Sequence, residues 1–376
     1  MIYDGHAYCF PDQRGASGFA DPDEFRRHLQ LGMAGHFQPA WRAKDRAPAD
    51  SSGLYDPAQG LTFAALKDAN FRPAGHGRFE WTIDGVDYVK QVLPPSVTDM
   101  SYPADPLVAE MDYAGVDWAL LHRTPYLGIG NDFIADCVRR FPDRLHGLAY
   151  VEEWLIEPDP EGSIRKLERA INEQGLSGLQ FLPNYLALYD QPPDWDGPGF
   201  RPFWDAVANL GVPVFFTPGA GVGSPAMSRE ETVEIYLEEL RRLRRWMERY
   251  PDVTVVLTHG FIWRLFVEGD ELSVPEQVLE AAPIDHPNFH LQLLFAIFLA
   301  GDWDYPLSQV QPTLEQLVHR IGADRLLWGT DMPMILRFMT YRQSLDFIRR
   351  YCDFLSPQEM DLICGGNMAR LMGLEG

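Results

Sequence analysis

Ile2-Tyr3-Asp4-Gly5-His6-Ala7-Tyr8-Cys9-Phe10-Pro11 and Leu326-Leu327-Trp328-Gly329-Thr330-Asp331-Met332-Pro333 decide the fold between them. Each is a short apolar run that turns polar at its far end, the first at Asp4, His6 and Tyr8, the second at Thr330 and Asp331. A strand ending in a histidine near one end of the chain and a strand ending in an aspartate near the other predict a closed ring of strands. In such a ring, the two ends meet at one site. Working outward, further β-rich apolar runs occur at 116–122, 145–151, 177–182, 212–217, 253–258 and 289–295. With 2–8 and 326–329 these make eight. Nearly continuous apolar strands are buried on both faces, as in a parallel sheet. Helical segments separate them. The clearest, 228–250, opens on Ser228-Arg229-Glu230-Glu231, a pattern in which serine and glutamate satisfy free backbone donors. Val233, Tyr236, Leu237, Leu240, Leu243 and Met247 then share one face. Pro142-Asp143, Pro251-Asp252, Pro287-Asn288 and Ala323-Asp324 each stand just ahead of an apolar run and stop the preceding helix. This alternation predicts an α/β protein, a (β/α)8 TIM barrel in one domain spanning 1–376.

Residues 12–104 break the alternation. They are rich in Pro, Gly, Asp and Arg, and the stretch 77–86 reads as a hairpin around Asp84-Gly85. An insertion after the first strand would sit over the barrel mouth, so this segment is expected to be a cap or lid.

With 376 residues, 46% of them apolar, the chain has ample material for a large core. Its formal net charge of -22 argues against nucleic acid or anionic membrane as partner and says little about the substrate, which is expected to be a small molecule. The four cysteines, Cys9, Cys137, Cys352 and Cys364, form no CxxC pair and read as reduced buried thiols. The sequence shows neither a basic segment leading an apolar run at its start nor an apolar stretch of membrane-spanning length. A soluble, cytoplasmic protein is the expectation.

Barrel chemistry sits at the C-terminal ends of the strands. The polar residues there are Asp4, His6 and Tyr8; His122 and Arg123; Glu152 and Glu153; Gln180 and Asn184; Thr217-Pro218-Gly219; Thr258-His259-Gly260; Gln292; and Thr330-Asp331. This pattern resembles the amidohydrolase superfamily, in the branch of aminocarboxymuconate-semialdehyde decarboxylase and γ-resorcylate decarboxylase. The likeness lies in the first strand and about 105–372. It includes Met111-Asp112-Tyr113-Ala114-Gly115-Val116-Asp117, Gly322-Ala323-Asp324-Arg325-Leu326-Leu327-Trp328-Gly329-Thr330-Asp331 and Gly366-Asn367-Met368-Ala369-Arg370-Leu371.

The resemblance implies a metal site of two histidines on the first strand, a histidine ending the fifth and an aspartate ending the eighth, with an acid–base histidine on the sixth. His6, His259 and Asp331 match. Tyr8 and Thr217 stand where two ligand histidines would be, and both are poor ligands. An Asp4-x-His6 pair is a second register for the first strand. If a metal binds, a single Zn or Mn, His6 and Asp331 are the ligands that remain; the loss of two others favours a metal-free site. His6, His259 and Asp331 are the expected catalytic residues. Tyr8, His122, Arg123, Gln180, Thr217 and Arg264 are expected to bind substrate, with Phe79 and Trp81 stacking on it from the lid; His36 and His76 could also reach it from there. The leading functional reading is a hydrolase of a small cyclic or aromatic carboxylate, a lactone or amide. The alternatives are a non-oxidative decarboxylase or hydratase, and an inert ligand-binding relative. The exposed helices of such barrels allow a homodimer.

Overall fold

The computed structural model describes residues 1–218 and 227–374. Gly219, at the end of the fifth run, lies outside the described residues. All eight apolar runs are strands: β1 (Tyr3–Ala7), β2 (Trp118–Leu121), β3 (Leu145–Tyr150), β4 (Gly178–Phe181), β5 (Val214–Phe216), β6 (Val255–Leu257), β7 (Phe289–Leu293) and β8 (Leu326–Trp328). They form one eight-stranded sheet in chain order, each pair parallel. Beyond the strand ends, a parallel bridge joins Ala7 to Met332. There the Tyr8 N–H donates to the Met332 carbonyl at 2.8 Å, and the Asp331 N–H donates to the His6 carbonyl at 2.8 Å. The first and last strands therefore lie side by side, and the sheet is a nearly closed barrel.

Side chains along a strand alternate in direction. Tyr3, Leu120, Leu148, Phe215, Val256 and Leu327 form one buried apolar cluster, packed with Met368 and Ala369 of the helix Asn367–Leu371. Two residues further along β2, β5 and β6 come the polar His122, Thr217 and Thr258. A dry layer thus underlies a polar one, which is where the site lies. The helix Arg229–Arg249 opens on the Ser228–Glu231 capping box and buries Tyr236, Leu237, Leu240, Leu243 and Met247. All four cysteines are buried free thiols. No helix among the described residues is long and apolar enough to cross a membrane.

The segment between β1 and β2 has structure of its own. Helix α1 (Pro22–Gly35) begins at Asp21, whose side chain accepts from the Asp23 N–H, and has proline in its first turn. An antiparallel sheet of Ala40–Arg42, Pro48–Ala49, Arg72–Gly75, Arg78–Ile83 and Val86–Gln91 follows. Its central hairpin turns on Asp84 and Gly85, with φ of 50° and 77°. Both values are positive, as a two-residue turn matched to strand twist requires. Lys90 is buried, and its Nζ donates to the carbonyls of Met33 and His36, each at 2.8 Å, and to Ser51 Oγ at 2.6 Å. That ammonium caps the C-terminal end of α1 and fastens it to the sheet.

Candidate active site at the barrel mouth

The centre is built on β1. The register of β1 against β2 shifts between Asp4 and Ala7, and such an irregularity re-aims side chains. The Asp4 carboxylate turns toward β8. It accepts from the N–H groups of His6 (2.9 Å) and Thr330 (3.1 Å), from Thr330 Oγ1 (2.6 Å) and from the Tyr341 hydroxyl (2.7 Å). Burial pushes this carboxyl up to about 7 against those four donors. Asp4 is thus committed to the junction of first and last strands. Among the described residues the convergent donor set is His6, His259 and Asp331, so the Asp4-x-His6 register does not form.

His6 is fully buried and has its tautomer fixed from outside. The Gln292 amide donates through Nε2 to the Gly5 carbonyl at 2.7 Å, which leaves Oε1 to accept. That oxygen accepts from His6 Nδ1 at 2.9 Å and from the His259 N–H at 3.1 Å. His6 Nδ1 therefore carries the proton, and Nε2 presents a lone pair to the mouth. It faces the Tyr8 hydroxyl at 3.0 Å and Asp331 Oδ1 at 3.3 Å. Burial, then the neighbouring His122 and His259, hold His6 well below the usual histidine range, so the ring stays neutral. Gly329 makes room for it: a Cβ there would meet His6 Cβ at 2.9 Å.

His259 and Asp331 follow β6 and β8. Both have left-handed backbone, with φ of 67° and 66°. Non-glycine residues adopt this conformation at a cost that recurs at functional sites. His259 Nε2 lies 3.5 Å from Asp331 Oδ1. Burial raises the Asp331 carboxyl, but the hydrogen bond from His259 and the positive surroundings that include Arg337 outweigh it and hold it below the usual range. The ligand atoms of the three residues lie within 4.8 Å of one another. Donors about 2.1 Å from a tetrahedral ion are about 3.4 Å apart; the His6–Asp331 contact of 3.3 Å matches that edge. The reading of a metal-free site gains no support from this geometry.

The other residues singled out in the sequence fall into place around this centre. His122 lies behind it, its ring stacked on His6 at 3.6 Å with Nε2 donating to the Gly5 carbonyl at 2.9 Å. Burial brings it down to about 3. Gln180 accepts from the Arg123 N–H and donates to Thr217 Oγ1 at 3.3 Å. The buried Arg123 guanidinium donates to the Gly128 carbonyl.

A cavity of about 320 Å3 opens above. His259, Asp331, Tyr126 and Arg337 line it from the barrel side, and His28, Leu31, Gly32, Gly35, His36 and Phe37 from α1 and the residues after it. Phe79 and Trp81 are not on its wall: they alternate onto the packed face of their strand, where Phe79 stacks on Phe71 and Trp81 on Tyr88. Arg264 is also off the wall, in an ion pair with Asp302 at 3.2 Å. His76 is exposed. Sequence reading gave no role to Gln292, His28, Tyr126 or Arg337. A glutamine at a strand end opposite a histidine was the available signal for the first. For His28 it was Phe25, His28, Leu29 and Met33 at helical spacing behind Asp21-Pro22.

Comparison with known proteins places this architecture. A family model described as Amidohydrolase matches residues 84–374. The γ-resorcylate decarboxylase of Polaromonas sp. strain JS666 is 27% identical over 225 residues, 54% of this chain and 64% of that protein. The 2-amino-3-carboxymuconate-6-semialdehyde decarboxylase of Dictyostelium discoideum is 24% identical over 257 residues, 65% of this chain and 66% of that protein. This chain thus spans a little under two thirds of each of these relatives. Among solved structures, dihydroxybenzoic acid decarboxylase from Polaromonas sp. JS666, with bound manganese and the inhibitor 2-nitroresorcinol, superposes with a TM-score of 0.52. It is 21% identical, over 73% of this chain and 87% of that one.

Proposed function

The chain belongs to the amidohydrolase family, and we propose that it is a lyase, a non-oxidative decarboxylase of a small aromatic or unsaturated carboxylate. The curated relatives at 27% and 24% identity are decarboxylases, which favours carbon–carbon cleavage over the hydrolysis that the strand-end pattern first suggested. The observation that carries the reading is the meeting of His6, His259 and Asp331 at the mouth of one cavity with apolar walls.

The donor set fits one divalent ion, Mn2+ or Zn2+. His6, neutral with Nε2 outward, and the ionised Asp331 would hold it. When bound, it supplies positive charge to a substrate oxygen while negative charge builds on the carbon losing CO2. His259 lines the cavity and is paired with Asp331, so proton delivery falls to it. The bond to the carboxylate carbon breaks, CO2 departs, and the bonding pair stays on the substrate carbon. The proton on His259 Nε2 forms the new C–H bond, and solvent reprotonates the imidazole. Asp331 holds that imidazole in place at the cavity wall. Residues 12–104 act as the cap: α1 closes the cavity and excludes water from the reacting carbon.

The test is a panel of hydroxybenzoates, other small carboxylates and lactones in D2O with Mn2+-loaded protein. CO2 release with one deuterium at the vacated carbon is expected, lost in His259→Asn while metal content is retained. Turnover of lactones without CO2 from any acid would overturn the reading in favour of a hydrolase.

A further inference from the structure

We propose that Arg337 is the anion anchor of this cavity, binding a substrate carboxylate distinct from the group at the His6–His259–Asp331 centre. The proposal rests on the cavity being the reaction chamber and adds the substrate class, a dicarboxylate. Arg337 follows β8 on a short turn, Met334–Arg337, and lines the cavity wall together with Asp331. Two of its nitrogens are held by backbone: Nε donates to the Met334 carbonyl at 3.0 Å and Nη1 to the Val92 carbonyl at 2.7 Å. The guanidinium lies 5.7 Å from the Phe37 ring and 5.1 Å from the Phe338 ring. It is therefore fixed in position, and Nη2 forms no hydrogen bond to a described residue.

Most arginines of this acidic chain are paired with carboxylates; among the described residues Arg337 forms no ion pair. A largely buried cation without a counter-ion is costly to keep. Asp331, on the same wall, offsets part of that cost through its charge, but it forms no ion pair with Arg337 because its Oδ1 is directed at the two imidazoles. What the guanidinium offers is Nη2, a charged donor of fixed direction beside an apolar wall, which takes a carboxylate oxygen through a charge-assisted hydrogen bond. Its position on the wall shared with Asp331 lets a ring-sized molecule reach both. The carboxylate on Arg337 is then the one retained in the product.

Two probes of matched shape decide the point by calorimetry, isophthalate and 3-carbamoylbenzoate, which differ in one carboxylate against one amide. Wild type is expected to bind isophthalate tighter by about tenfold to a hundredfold, the range of a charge-assisted hydrogen bond. Arg337→Met should bind both alike, and Arg337→Lys should restore part of the difference. Circular dichroism melting of the variants establishes that they are folded. Equal affinities in wild type, or a preference that survives in folded Arg337→Met, overturns the proposal. Because the readout is binding, a protein that releases no CO2 and still discriminates the probes defeats the lyase reading and leaves the anchor standing.

Discussion

The barrel and the segment inserted after its first strand contribute to the same cavity by opposite means. The barrel supplies few groups, each held by several bonds. His6 is fixed through Gln292, Asp4 through four donors, and Asp331 through the backbone of β1. The insertion supplies area. His28, Leu31, Gly32 and Gly35 of one helix face the chamber, and a single ammonium fastens that helix to its sheet. The proposed reactive groups thus sit where the side chains and backbone are most heavily bonded. Shape is delegated to a part that can vary without disturbing it.

The largest effect that could break this division is on turnover. Asp331→Asn removes the partner of the proton-donating His259 and should lower kcat by roughly 10^3-fold, within the range for disabling a positioned acid–base group, with the melting transition preserved. A variant that keeps most of its activity would remove the barrel mouth as the seat of chemistry. Next, Gln292→Leu frees the His6 ring to flip and releases the His259 backbone. Affinity for Mn2+, titrated by electron paramagnetic resonance, should fall about 10–100-fold, as for loss of a group that orients a metal-binding histidine; unchanged affinity would show that His6 does not depend on its tautomer partner. On the other side, Lys90→Met leaves two buried carbonyls at the end of α1 without their donor. It should cost about 1–3 kcal/mol locally, seen as faster proteolysis within 12–104 and a raised KM, while metal affinity stays constant. Equal loss of metal would mean the two parts are not separable.

The smallest effect is on the pH dependence of stability. Burial pushes Glu153 up to about 8, so the native state holds a proton that the unfolded chain releases. Its contribution is complete below about 4.5 and lost as pH rises through 8. Asp4, at about 7, acts in the same direction. Burial lowers His28 and His122 to about 3 and His290 to about 4. Each withholds a proton that the unfolded chain binds below about 6.5, so stability falls as pH drops from there. Three histidines outnumber two carboxyls, and the melting temperature should peak near pH 6.5. Glu153→Gln should flatten the alkaline side and steepen the acid side between about pH 4.5 and 6.5.

The same division explains what could be read in advance. Strands buried on both faces must be apolar throughout, so each of the eight announced itself, to within two residues at either end. His6, His259 and Asp331 were legible because they terminate such runs. The insertion's contribution was not, because a lining side chain there is selected for shape, and shape leaves no period in the sequence. Phe79 and Trp81 suggested stacking on a ligand, yet strand alternation turned both into packing. Arg337 was hidden for another reason: its distinction is a place on the cavity wall without an ion pair among the described residues, which exists only once the chain has folded.

The bridge between Ala7 and Met332 bears on how the protein comes into being. A histidine on the first strand waits for an aspartate made 325 residues later. Chains that stop short of the eighth strand hold two of the three residues of the proposed centre, and activity should appear abruptly, in step with docking of that strand.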